Sequence, residues 1–166
     1  LLIDQGQSAR EAEDRVDFFL ASIPDLLKWV ASNGRRYPWR STTDPWEVYV
    51  AEILLQRTRG NAVENVYTDF LERYPDPEAM QDATEERVFE IVRPLGFGNQ
   101  RTKSLLDVGE ILNERHGGEV PADLDALQEP WRVGPYCARA TLLFAHGRPM
   151  ALVDSNFARV FGRVLD

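Results

Sequence analysis

Cysteine is almost absent from this chain. Cys137 stands alone, so no internal disulfide can form. Histidine is scarce as well: His116 and His146 are the only two, too few with one cysteine for a zinc site of that ligand type. No run of about 18 apolar residues occurs, so no membrane-spanning helix is expected. No secretory leader pattern opens the chain. Lysine is rare, with Lys28 and Lys103 the only two among 19 basic residues. Alternating apolar and polar strand pairs, internal repeats and low-complexity tracts are all missing, which leaves an all-α class.

What is present suits a folded protein. The chain has 166 residues, 43% of them hydrophobic and 28% charged, enough to bury a sizeable core in one domain or in two small lobes. It opens on Leu1, and its last residues, 161–166, read as the middle of a helix. The expectation is a piece of a longer protein.

Net charge is −8, which by itself argues against a nucleic-acid partner. Its distribution argues otherwise. Residues 131–165 hold five arginines (Arg132, Arg139, Arg148, Arg159 and Arg163) against one acid, Asp154. Acid gathers in residues 4–17 and 107–129. A local basic face can neutralise phosphates while the rest stays acidic. The plainer reading is a solvated face of arginines with acidic neighbours.

Helical period runs through most of the chain. Val16, Phe19, Leu20, Ile23, Leu27 and Val30 mark a helix over 14–31, with Pro24 splitting or kinking it. Asp44-Pro45-Trp46-Glu47 is a helix start, with an N-cap, proline at the first position and a capping-box acid, and the helix is expected to reach about Arg57. Further helices are expected over 61–73, over 85–92 behind a Thr84 cap, and over 100–115. Residues 95–99 form a glycine-rich turn. A short helix over 122–128 is expected next, then a tight loop, then a buried helix over 136–146. Asp154-Ser155 caps a last helix from Asn156. Ala151-Leu152-Val153 is too short to read as a strand.

Three constellations carry chemistry. Val133-Gly134-Pro135-Tyr136 joins two helices, and backbone N–H groups at the second helix start suit a phosphate; a glycine turn between helices is also common with no function. Asp154 follows an apolar run at a helix start, where N–H groups keep a carboxylate ionised and able to stabilise developing positive charge; ordinary capping is the competing reading. Glu52 is one acid among Val48, Val50, Ile53, Leu54 and Leu55. Burial raises the pKa of such a group and suits proton donation, unless it faces solvent at the edge of the apolar stripe.

Together, in this order and spacing, these residues resemble the helix-hairpin-helix DNA glycosylase superfamily. The resemblance runs from about Leu26 to Leu165. It includes Pro38-Trp39-Arg40, Asp44-Pro45-Trp46, residues 51–58, Arg73-Tyr74-Pro75, residues 95–101 and residues 116–121, then the hairpin and Val153-Asp154. Within the superfamily the chain is similar to the thymine–guanine mismatch glycosylases, through residues 98–101, residues 153–160 and Tyr136. That tyrosine stands where bifunctional members carry a Schiff-base lysine, so the resemblance implies a monofunctional enzyme.

The implied fold is two-lobed: a six-helix barrel lobe over 44–146 containing the helix-hairpin-helix at about 122–146, and a second lobe built from 1–43 and 147–166, truncated at its C-terminus. The implied catalytic residues are Asp154, Tyr136 and Glu52. Gln56 or Arg57 resembles the wedge that fills the gap left by a flipped base. Residues 95–101 resemble the loop facing the orphaned guanine, with Gly98, Asn99, Gln100 and Arg101 as its expected DNA contacts. Arg132, Val133, Gly134, Arg139 and Arg159 are expected to hold phosphates. The family hairpin reads Leu-Pro-Gly-Val-Gly where this chain has Pro130-Trp131-Arg132-Val133-Gly134. Arg132 therefore replaces a glycine and is strained if its φ is positive. The family often holds a monovalent cation at this hairpin. Many relatives also carry an iron–sulfur cluster on four cysteines, which this chain would have only past Asp166; no cofactor is expected within it.

The implied partner is double-stranded DNA with a mismatched or damaged base, bound by a monomer that is not secreted and not membrane-attached, and that sits with the nucleoid in the cytoplasm if the source is prokaryotic. The implied reaction hydrolyses the N-glycosidic bond of a flipped thymine or uracil opposite guanine. An adenine glycosylase acting opposite 8-oxoguanine or guanine is the alternative among enzymes. A non-catalytic DNA-binding or scaffold domain is the alternative of another class.

Overall fold

The computed structural model describes residues 2–165, and side chains within 10–163 except that of residue 12. The outer bounds of the expected terminal segments, Leu1 and Asp166, lie outside the described residues. Seven α-helices are present and no strand among the described residues, as an all-α class requires. The chain divides into two compact units, Leu1–Arg36 with Val153–Asp166, and Tyr37–Leu152. The observed divisions thus fall after residues 36 and 152, where the sequence suggested 43 and 146. No described helix is long and apolar enough to cross a membrane.

The first unit pairs α1 (Leu2–Asn33) with α7 (Ser155–Leu165). Phe161 bridges them, with ring centroids 5.0 Å from Phe19 and 4.5 Å from Phe157. Pro24 was expected to split or kink the first helix; α1 is not split and runs through it for 32 residues. Proline removes one backbone donor. The turn just before it is bolstered by Ser22, whose hydroxyl donates to the Phe19 carbonyl at 2.7 Å. The helix stops at Asn33-Gly34 as expected, with Gly34 N–H bonding Val30 O at 2.7 Å.

The second unit holds α2 (Pro45–Leu54), α3 (Gly60–Arg73), α4 (Glu85–Val92), α5 (Gly98–His116) and α6 (Pro135–Phe144). Its centre is α2, which buries Trp46, Val48, Tyr49, Val50, Ala51, Ile53 and Leu54. Such burial on nearly every face places the helix inside, packed by α3, α5 and α6. Asp44 accepts from the Trp46 and Glu47 N–H groups at 2.9 and 3.0 Å, which is the cap its sequence predicts. Two polar atoms of α2 also reach across the unit: Trp46 Nε1 donates to Tyr74 O at 2.9 Å and Tyr49 Oη to Leu127 O at 2.7 Å.

Three expectations need correction. The second helix ends at Leu54, not near Arg57. The buried Arg101 side chain stops it, donating to Ile53 O at 3.1 Å, Leu54 O at 2.9 Å and Gln56 O at 2.7 Å. Carbonyls at a helix C-terminus lack helical partners, and a guanidinium can satisfy them. The helix expected over 122–128 is a single 3-10 turn, Ala126–Gln128, because Asp123 Oδ1 accepts from the Asp125 and Ala126 N–H groups and ties the chain into a turn. The barrel lobe therefore has five α-helices and this turn in place of its sixth. The helix expected over 136–146 ends at Phe144 and is buried on one side only, through Cys137, Ala138, Ala140, Thr141 and Leu142.

Candidate active site

Backbone strain marks the place. Among the described residues, the non-glycine residues with positive φ are Arg57 at 57°, Phe97 at 53° and Arg132 at 65°. A side chain in this region costs about 1 kcal/mol or more, and such residues gather at functional sites. All three line one cavity of about 530 Å³ in the second unit. They come from three separate segments: the turn after α2, the residue before α5, and the loop before α6.

The same cavity collects Gln56, Gln100, Arg101, Gly134 and Tyr136. Gln56 Nε2 donates to Arg132 O at 3.3 Å, which joins the expected wedge to the hairpin. Tyr136 is the second residue of α6 and 42% exposed, so its ring is open to a ligand. Asn99 and Gln100 are exposed at the start of α5. Arg139 is exposed on α6. In the other unit, Arg159 is exposed on α7, and its guanidinium bonds Asn156 Oδ1 at 3.1 Å.

One assignment changes. Arg101, expected among the DNA contacts of the loop facing the guanine, is 6% exposed, and its guanidinium is committed to backbone carbonyls and Thr58 Oγ1. The Val133 side chain is buried at 5% exposure. At Gly98 a Cβ would lie 2.7 Å from the Phe89 ring. Phe97, within the 95–101 loop but not singled out there, is exposed in a left-handed conformation at the cavity wall; a non-glycine residue in that conformation leaves no mark in a sequence. Trp131 was missed too. Its ring carries Lys103 Nζ at 4.8 Å and the Arg132 guanidinium at 5.3 Å.

Arg132 does have the positive φ that its replacement of a glycine implied. We expect Arg132→Gly to change folding stability by less than about 1 kcal/mol, since relieved strain offsets the lost contact with Trp131. Chemical denaturation of the variant against wild type reads the change.

Glu52 does not line this cavity. It opens into a second one of about 260 Å³, with Trp39, Arg40 and Phe144. Burial raises its pKa to about 7, and the nearby Arg40 charge pulls the other way. The Arg40 guanidinium lies 5.6 Å over the Phe144 ring. Cys137, on the wall of the larger cavity, has its thiol pKa pushed up by burial and then by the Glu52 charge.

Asp154 belongs to the first unit and caps α7. Its Oδ1 accepts the Phe157 N–H at 2.7 Å and its Oδ2 the Asn156 side-chain amide at 3.1 Å. The Phe157 bond leads in holding its carboxyl below the ordinary value. The carboxylate is exposed to solvent rather than sealed in the core.

A four-cysteine cluster cannot be held by Cys137 alone, which is buried in α6. At the hairpin, Pro130, Trp131 and Arg132 carbonyls already accept from Val133 N–H, Ser104 Oγ and Gln56 Nε2. Each of these carbonyls keeps a second lone pair for a monovalent cation, while Arg132 brings positive charge to the same loop.

Residues 50–165 match the model of the HhH-GPD superfamily base excision DNA repair proteins. The chain belongs to this superfamily. It is 42% identical over 141 residues to a thymine-DNA glycosylase of Aeropyrum pernix, a match covering 84% of this chain and 63% of that protein. It is 41% identical over 140 residues to a thymine/uracil-DNA glycosylase of Pyrobaculum aerophilum, covering 84% and 61%. The chain thus spans less than two thirds of the length of these two relatives. Among solved structures, a thermostable thymine-DNA glycosylase superposes with a TM-score of 0.80 at 30% identity, covering 90% of this chain and 67% of the other. The HhH-GPD fold accounts for the all-helical architecture and for the hairpin that leads into α6.

Proposed function

We propose that this HhH-GPD protein is a monofunctional DNA N-glycosylase. It removes thymine or uracil opposite guanine from double-stranded DNA, acting as a monomer. The observation that carries the reading is the cavity of the second unit, whose wall gathers the expected wedge residues Gln56 and Arg57, the hairpin residues Arg132 and Gly134, and Tyr136. Burial raises the Glu52 pKa to about 7, as suits a proton donor, and its N–H partners hold that of Asp154 below its ordinary value, as suits a charge stabiliser. The thymine and uracil named in the two relatives support the choice of base.

The target base must leave the duplex, since its glycosidic bond is unreachable within the stack. A mismatched base costs less to extrude than a paired one, which supplies part of the selectivity. Gln56 or Arg57 fills the gap, and Arg132 and Arg139 hold phosphates. Breaking the bond gives the sugar oxocarbenium character. Ionised Asp154 stabilises that charge and orients water, while protonated Glu52 donates to the departing pyrimidine. Tyr136 contacts the base. Having no amine, it forms no Schiff base, so the strand stays intact at the abasic product.

Single-turnover excision on T·G, U·G, A·8-oxoguanine and A·G duplexes, each with and without alkali, tests this. Release at T·G or U·G with strand breakage only after alkali is expected. Release of adenine overturns the substrate. No release from any duplex, with binding retained, favours a non-catalytic DNA-binding domain.

A further inference from the structure

Arg101 is the most fully used side chain in the second unit. A guanidinium has five N–H donors, and here each has an acceptor. Nε donates to Gly96 O at 3.0 Å. One terminal nitrogen donates to Ile53 O and Leu54 O at 3.1 and 2.9 Å. The other donates to Gln56 O at 2.7 Å and to Thr58 Oγ1. The backbone N–H of Arg101 adds a bond to Phe97 O at 3.0 Å.

These acceptors flank two of the three strained residues. Gln56 and Thr58 lie on either side of Arg57, and Gly96 directly precedes Phe97. Nothing in the local sequence favours a left-handed conformation at either position, so the surroundings must impose it. Arg101 reaches both from one buried point.

We propose that Arg101 is a positioning residue that locks the 55–58 turn and the 95–97 loop into one rigid element, presenting Arg57 and Phe97 together at the cavity. This rests on the glycosylase reading, in which the 56–57 wedge fills the gap left by the flipped base and the 95–101 loop faces the orphaned guanine. A common anchor makes the two contacts a single event: a duplex that accepts one loop must accept the other in the same geometry. The fork of the guanidinium is essential to the role. A lysine keeps the charge but supplies three donors from a single atom, too few and too concentrated for five acceptors spread over two segments.

The test compares wild type with Arg101→Lys by two measurements. The first is amide hydrogen exchange. Exchange should accelerate in 55–59 and 95–98 together, while the centres of α2 and α5 keep their protection. Acceleration in one segment alone, or throughout the unit, overturns the proposal. The second is single-turnover excision of uracil from two duplexes, one with U·G between paired neighbours and one with uracil flanked by mismatches and already loosely stacked. The variant should lose about 30-fold or more on the first and less than about 3-fold on the second, because misplaced insertion penalises extrusion and not bond cleavage. Equal losses on both duplexes reduce Arg101 to general stability and overturn the proposal. Thr58→Val, which deletes one acceptor, should shift both readouts in the same direction by a smaller amount, and it carries the test if Arg101→Lys does not fold. Wild-type protein that excises nothing from either duplex refutes the glycosylase reading, and the exchange result then decides the clamp by itself.

Discussion

Asp154→Asn should abolish base excision, with a loss of about a thousandfold or more, and leave DNA binding within a few-fold of wild type. The substitution is chosen for what it preserves. Asparagine caps helices as well as aspartate does, so the Phe157 N–H keeps an acceptor and α7 keeps its start. The charge is lost, along with the bond that Oδ2 accepts from the exposed Asn156 amide. A fixed carboxylate stabilises a forming oxocarbenium ion far more than it stabilises the neutral substrate, so its removal raises the barrier without weakening the ground-state complex. Fluorescence anisotropy on a mismatched duplex reads binding, and single-turnover excision reads chemistry. Parallel loss of both would assign Asp154 to structure or to DNA contact. The depressed pKa adds a second signature: because Asp154 stays ionised below the usual carboxylate range, wild-type excision should not fall off on its account above about pH 4.

The parts of this molecule that were legible in its sequence are those whose causes are local. Asp44 and Thr84 cap α2 and α4 where expected, because a cap needs only a short polar side chain and N–H groups within three residues. The early end of α2 was not legible, since the group that ends it, Arg101, lies 47 residues beyond Leu54. The turn at Ala126–Gln128 was read as a helix because periodicity cannot distinguish one 3-10 turn from two helical ones at that length. Arg101 was placed among DNA contacts for a related reason. An arginine in a glycine-rich loop looks the same in sequence whether it faces phosphate or its own backbone, and only burial separates the two. The left-handed conformation of Arg132 was anticipated, because the family hairpin has glycine there. For Arg57 and Phe97 no such comparison was at hand, and tertiary bonds impose their conformation.

Glu52 was legible as a lone acid on an apolar helix, and its raised pKa makes two measurements diverge. With a value of about 7 in the folded protein against 4.5 for the ordinary side chain, the folded state keeps a proton that the unfolded chain releases. The stability tied to this proton is fully present below pH 4.5, declines as pH rises, and is lost once pH passes about 7. At 1.36 kcal/mol per unit the loss is about 3 kcal/mol. Glu52→Gln, which has no proton to lose, should therefore be more stable than wild type at pH 8 by about 2–3 kcal/mol, and nearly equal to it at pH 4. Excision should move the opposite way. The wild-type rate should fall roughly tenfold per pH unit above about 7, as Glu52 loses the proton it donates to the leaving base. Glu52→Gln should cut the rate at pH 6 by about a hundredfold and show no such decline. Urea denaturation and single-turnover excision across pH 4 to 9 supply both curves. A wild-type excision profile flat through pH 7 would exclude Glu52 as the proton donor. A variant that gains no stability at high pH would exclude the buried-acid account on which that role depends.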